Sequence, residues 1–320
     1  MFCETQANAA SKSGSFGGTL QRLAKLFVVV VALAAVLAPA PSYAQQYVSP
    51  GGSGSTCTFA TPCGFIANAL ANIGPDVGWV VCLNGNAVGD VGSSASYGGG
   101  VTVDIDCPLG SVQHMHIGGV GVTMRIRHLA LRGGSDLTFL AGGTLILEDC
   151  VFTESSGTPA IDIEPTGPLN LVIRNSRISN NPSGILLKPA VGGSITATFD
   201  HVTITGNTGG GIKIDTTNGP VTMDITDSVV SNNGANGINA VGNASAQAMV
   251  SIKNSVIAKN GLVGVQANGA NAGVLVQMTI LDQNAAGATT VVNGGHISTY
   301  GNNSIVGSAG SGFTGSAPLQ

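Results

Sequence analysis

The chain has 320 residues with 12 basic and 16 acidic side chains, a formal net charge of −4, and 48 glycines. Only 9% of residues are charged while 43% are hydrophobic, which excludes a disordered polar chain and points to a compact, turn-rich fold. No Lys/Arg stripe is present to meet a polyanion, so nucleic acid is excluded as a partner.

In chain order, Lys12, Arg22 and Lys25 precede the apolar run Leu26 to Ala38, followed by Ser42-Tyr43-Ala44. The run is shorter than the roughly 20 residues that span a bilayer, and the small-x-small ending has the form of a cleavage site. Residues 1–44 are expected to be a secretory signal peptide, leaving no stable membrane span and a secreted or periplasmic product. Its removal takes those three basic residues and Glu4, leaving 9 basic against 15 acidic residues, a net charge of −6.

Export permits disulfides. The expected pairs are Cys57–Cys63, closing a short loop, and Cys82–Cys107, one repeat length apart, with Cys150 free. The competing zinc site would call for two close C-x2-C pairs. Residues 45–80 read as an N-terminal cap, containing the disulfide loop and an amphipathic helix over Pro62 to Ile73 with Phe65, Ala69 and Ile73 on one face.

From residue 81 to 307 the chain repeats, and 308–320 reads as a tail. Phe152, Ile178, Ile204 and Val230 recur every 26 residues, and Ile257 follows after 27. Aligning on this ladder makes Cys82, Cys107, His128, Asp149, Asn175, His201, Asp227, Asn254, Gln277 and Asn302 equivalent. That gives about ten coils. An apolar residue sits two positions before each of the first nine, from Val80 and Ile105 to Ile252 and Leu275. Short β-branched runs between glycine- and asparagine-rich turns say strand, and the leucine-rich-repeat pattern is missing. The predicted fold is all-β, a right-handed parallel β-helix solenoid with an N-terminal capping helix.

Asn181, Asn207, Asn233 and Asn260 share one turn position and should stack as an amide ladder. Asp106, Arg127, Glu148, Arg174 and Asp200 alternate in sign over five coils, Asp104 and Arg125 repeat the pairing, and Glu164, Lys188 and Asp215 form another column beside Lys213. Neighbours of opposite sign about 5 Å apart stabilise each other, and a carboxylate so paired is a poor general acid. The residual candidates for chemistry are Asp162, Glu164 and Asp215, which could take Ca2+ if Lys188 and Lys213 turned away. His114 and His116 could form a metal pair, but a third ligand is not evident; His128, His201 and His296 read as sheet or turn side chains. No Gly-x-Ser-x-Gly, His-Glu-x-x-His or Walker sequence appears. The turns between coils are short, including Pro165 to Pro168 and Gly242 to Ala248, which predicts a flat outer face.

The entry segment Tyr47-Val48-Ser49 with Cys57 and Pro62-Cys63, the coil motif Asp227-Ser228-Val229-Val230-Ser231-Asn232-Asn233-Gly234 with Asn236-Gly237-Ile238, and the closing Tyr300-Gly301-Asn302-Asn303-Ser304-Ile305 carry a resemblance. The chain resembles the pectate lyase-like superfamily of right-handed parallel β-helices, and within it the small secreted bacterial β-helix proteins. The resemblance implies polysaccharide as the partner class and, in a lyase, an acidic Ca2+ cluster with an Arg or Lys base. Arg177 is the base candidate, without an acidic cluster in register. Asn207-Thr208-Gly209, Arg125-Ile126-Arg127 and Gly295-His296-Ile297 are the nearest fragments to the polygalacturonase motifs, and each lacks its decisive residue. The expectation is a non-catalytic β-helix with no cofactor that meets extracellular polysaccharide or the cell envelope; the alternative is a diverged polysaccharide lyase or glycoside hydrolase.

Overall fold

The computed structural model describes residues 44–316 except 74–76, 84–87, 90–93, 98–99, 135–136, 158 and 309–311. The expected signal peptide, apart from Ala44, lies outside the described residues. Every named strand pairing is parallel, as in Leu171↔Ala197↔Met223↔Val250, with one register shift, between Asp106 and Gly110 where Thr102–Val112 pairs with Val122–Arg132. One sheet carries a long and a short strand from each coil, such as Gly143–Glu148 and Val151–Thr153; a second, nine-stranded sheet carries the third, such as Pro159–Ile163. The result is a right-handed parallel β-solenoid close to the expected coil count.

The aligned positions turn out to be bends. His128, Asp149, Asn175, His201, Asp227 and Asn254 have φ between +48° and +56°, the left-handed region that Asn, Asp and His tolerate better than other side chains. That is why these residue types recur there. The sequence alignment slips at its end: Lys253 pairs with Gln277 and Ile252 with Val276, so the bend falls at Met278, φ +46°. The inward residue is Val276, fully buried, rather than Leu275. A coil shortened to 24 residues between Asn254 and Met278 produces this one-position error.

Phe152, Ile178, Ile204, Val230 and Ile257 stack in register and are buried. At the next corner Asn181, Asn207, Asn233 and Asn260 form the expected ladder, and Asn284 extends it. Each Nδ2 donates to the next Oδ1, at 3.0, 2.9, 3.0 and 2.9 Å, and also to a carbonyl of the preceding coil, as Asn233 does to Ile204 at 3.2 Å. Each Oδ1 accepts a second bond from the backbone of the preceding Asn. Ser155 N–H and Ser308 Oγ close the two ends of the stack. The opposite corner has a hydroxyl ladder that sequence reasoning missed: Ser176, Ser228 and Ser255 Oγ accept from the backbone N–H of Cys150, Val202 and Ser228 and donate to Arg174, Thr226 and Lys253 carbonyls.

The cap helix is shorter than expected, Ile66–Ala71. Its buried face is Ile66, Ala69, Leu70 and the following Ile73, while Phe65 precedes the helix with extended backbone and is exposed. Ile73 lies over Gly78, where a Cβ would approach its side chain to 2.5 Å, so the cap seats on the only side-chain-free position of strand Val77–Cys82. That strand straddles the expected cap boundary, since it already pairs with Ala44–Val48 and with the first full coil. Burial pushes the Tyr97 phenol to about 12, and its hydroxyl lies 3.4 Å from the Leu70 carbonyl it donates to. Both expected disulfides form, Cys57–Cys63 within the entry loop and Cys82–Cys107 between adjacent rungs.

Ile204→Asp is expected to set an unpaired carboxylate between Ile178 and Val230 and to cost several kcal/mol; an unchanged melting temperature would contradict the inward assignment. Asn233→Leu leaves two donors of Asn207 without their acceptor, and urea unfolding should show a loss of roughly 2–4 kcal/mol.

Candidate functional site

The long strands present an outer face with three columns of side chains. The first reads Thr102, Thr123, Thr144, Asn170, Thr196, Thr222, Met249, Gly273 and His296. The second begins with Asp104 and Arg125, and the third reads Asp106, Arg127, Glu148, Arg174 and Asp200. Arg127 Nη2 donates to Asp104 at 2.9 Å and lies 3.6 Å from Asp106; Arg125 Nε donates to Glu148 at 2.8 Å, and Arg174 reaches back to Glu148 at 3.7 Å. Arg127–Asp106 and Arg174–Glu148 are the expected in-register pairs, while the shorter contacts Arg127–Asp104 and Arg125–Glu148 run diagonally in place of a direct Asp104–Arg125 pair. Burial opposes the charge of Arg127, but Asp104, Asp106 and Glu148 hold its guanidinium above the usual value.

The columns change character near the C-terminal end, and there the face is concave. A groove of about 560 Å³ runs over Met249 and Gly273 with Asp224, Gln247, Asn271 and His296 around it. Gly273 removes a side chain from the first column, and the Met249 thioether folds over it, 2.9 Å from where a Cβ would stand. The turn 242–247 borders the groove through Gln247 and is braced by its neighbours: Thr216 Oγ1 lies 3.0 Å from the Val241 and Ala246 carbonyls, and Asn271 Nδ2 donates to Asn243 and Ala244 carbonyls at 2.7 and 3.0 Å. The flat face expected from short turns is thus corrected. A six-residue turn braced by side-chain bonds sets Gln247 at the rim of the groove, with Ala270 and Asn271 of the next coil beside it. A second groove, about 360 Å³, lies at the other end beside Trp79, Asp104, Asp106 and Arg127. Among sequence signals, the break in the threonine column at Met249-Gly273 was the one that could have located the larger groove.

The carboxylates singled out in the sequence lie elsewhere. Asp162, on Pro159–Ile163, with Glu164 and Asp215 belongs to the second sheet, whereas Arg177 is exposed on the short-strand ladder with its Nε donating to Ser179 Oγ at 3.2 Å. The two groups do not meet. Lys188 Nζ is 3.3 Å from Glu164 and Lys213 Nζ 3.4 Å from Asp215, so both lysines face the carboxylates. Ca2+ would have to displace two cations to bind there, and the donor set does not fit it. Partial burial tends to raise the Asp215 pKa, but hydrogen bonds from Thr217 and the Lys213 charge outweigh it and hold the carboxyl below its ordinary value. Such a group is a poor proton donor near neutral pH. His116 is half-buried, outward on Met115–Gly119, and no third ligand joins it and His114 among the described residues. His128 has left-handed backbone within the strand Val122–Arg132, whereas His201 sits at a bend just after Ser194–Asp200. Cys150 is free and buried, its thiol pushed up to about 11 mainly by burial, which leaves no thiolate for chemistry at neutral pH.

The profile described as right handed beta helix region matches residues 116–277. The chain belongs to the right-handed β-helix family. Among solved structures, this β-helix protein is similar to pectate lyase Pel9A, with 16% identity over 88% of this chain and 80% of that one and a TM-score of 0.60. It is also similar to the A-module of the mannuronan C-5 epimerase AlgE4 from Azotobacter vinelandii, with 15% identity over 76% and 91% and a TM-score of 0.41. No curated protein matches the β-helix chain in sequence. No helix among its described residues is long and apolar enough to cross a membrane.

Because the folded Asp215 pKa lies below the unfolded value, its contribution to stability is present above pH 3.8 and is lost as pH falls through the folded pKa. In Asp215→Asn the acid-side decline of the melting temperature should be shallower than in the wild type below about pH 4; identical acid profiles would remove Asp215 from the account.

Proposed function

We propose that this chain is an exported, non-catalytic β-helix protein that holds polysaccharide along the outer face of its long strands. The observation that carries the reading is the groove over Met249 and Gly273, where an apolar floor is bordered by Asp224, Gln247, Asn271 and His296. Sugar recognition uses such a combination: an apolar surface for the C–H face of a pyranose and oriented hydrogen-bonding groups for its hydroxyls. The charge ladders support binding over catalysis, since their carboxylates are engaged with arginine or lysine. Two disulfides fit an oxidising compartment, and together with the N-terminal apolar segment they support a secreted or periplasmic location, in contact with extracellular polysaccharide or the cell envelope. Pectate lyase Pel9A shares the fold, which makes polysaccharide the first class to test.

A second reading, a diverged polysaccharide lyase or glycoside hydrolase, draws on one feature of the same groove: Asp224 and His296 both border it, a carboxylate and an imidazole open to one ligand. Ca2+ belongs to this reading only.

The mature chain is to be incubated with uronans and neutral glycans, with Ca2+ and with chelator, while binding and chain length are both followed. Binding without shortening, weakened tenfold or more in Gly273→Leu at an unchanged melting temperature, is the expected result. Shortening that disappears in His296→Ala would replace it with the enzymatic reading. Absence of binding to every glycan would overturn both.

A further inference from the structure

Outside the groove, Asp200, His201 and Asp227 converge at one bend. Asp200 ends the strand Ser194–Asp200, and His201 and Asp227 are the left-handed residues of successive rungs. One ligating atom from each lies within 4.8 Å of the others. His201 Nδ1 is 2.7 Å from Asp200 Oδ1. Two further side chains orient the carboxylates: Thr226 Oγ1 donates to Asp200 Oδ1 at 3.3 Å, and Asn254 Nδ2 donates to Asp227 Oδ1. Hydrogen bonds of this outer kind fix the direction of metal-ligating carboxylates.

The same bend three rungs away supplies an internal contrast. His128 also stands between two carboxylates, but its Nδ1 faces Asp106 at 2.8 Å while Nε2 faces Asp149 at 3.8 Å. Its partners lie on opposite edges of the ring and cannot share an ion. Arg127, moreover, already lies 3.6 Å from Asp106. At the other cluster the in-register neighbour of Asp200 is Arg174, and that guanidinium reaches away to Glu148. No comparable cation is paired with Asp200 or Asp227 among the described residues.

We propose that Asp200, His201 and Asp227 bind one divalent transition-metal ion, with Zn2+ the ion best suited to one imidazole and two carboxylates. The His201 side chain is 61% exposed, so water completes the coordination and the ion sits at the surface. Nothing in this site depends on the glycan reading, and either can fail without the other.

Calorimetric titration of the metal-free mature chain with ZnCl2 tests it. One Zn2+ per chain is expected, with affinity reduced at least tenfold in His201→Ala and in Asp227→Asn and unchanged in His128→Ala. Melting temperatures of the metal-free variants should match the wild type, because all three side chains are exposed or half-exposed, and only the wild type and His128→Ala should be raised by Zn2+. No Zn2+ binding by the wild type, or equal binding by His201→Ala, would overturn the assignment.

Discussion

Everything in this molecule depends on one requirement: the backbone N–H and C=O groups of each coil are satisfied by the coils before and after it. Parallel pairing at about 4.8 Å forces equivalent residues of successive coils into columns, and each column must then be a chemistry that can repeat against itself. Aliphatic side chains do so by packing, as Phe152 through Ile257 show. Asparagine does so because its amide both donates and accepts, so that each ladder member satisfies its neighbour and a corner carbonyl at once. A charge cannot repeat, and so the charged column alternates in sign and settles into in-register and diagonal pairs.

The same requirement shapes what the surface can do. Alternation places an arginine beside Asp104, Asp106 and Glu148, which favours structure over proton transfer. Function is then sought where a column is interrupted. Gly273 interrupts the hydroxyl column, the braced turn 242–247 sets Gln247 at the rim, and a groove results. At the bends the interruption is of another kind. Left-handed backbone selects Asp, Asn and His, and where a histidine and two aspartates each bring one ligating atom within 4.8 Å of the others the corner gains a ligand set.

Much of the architecture was legible in the residues. The 26-residue period, the amide ladder and both disulfides follow from spacing, because a solenoid turns sequence interval directly into spatial adjacency. The misreadings share a cause. The last rung shifts by one residue because a shortened coil breaks the period, and Phe65 was placed inward because helical spacing alone does not say where a six-residue helix begins. The site was less legible. Asp162, Glu164, Asp215 and Arg177 were selected for residue type, yet they divide between two sheets, and the lysines beside the carboxylates face them.

By itself, the sequence determined the repeat, the parallel stacking, the inward ladder and the pairing of opposite charges, since each is a property of equivalent positions one period apart. Tertiary structure alone decided which bonds brace the turn 242–247, how Met249 folds over Gly273, and which ring atoms of His128 face its carboxylates. Those depend on side-chain direction and on contacts between non-equivalent positions, which a period does not encode.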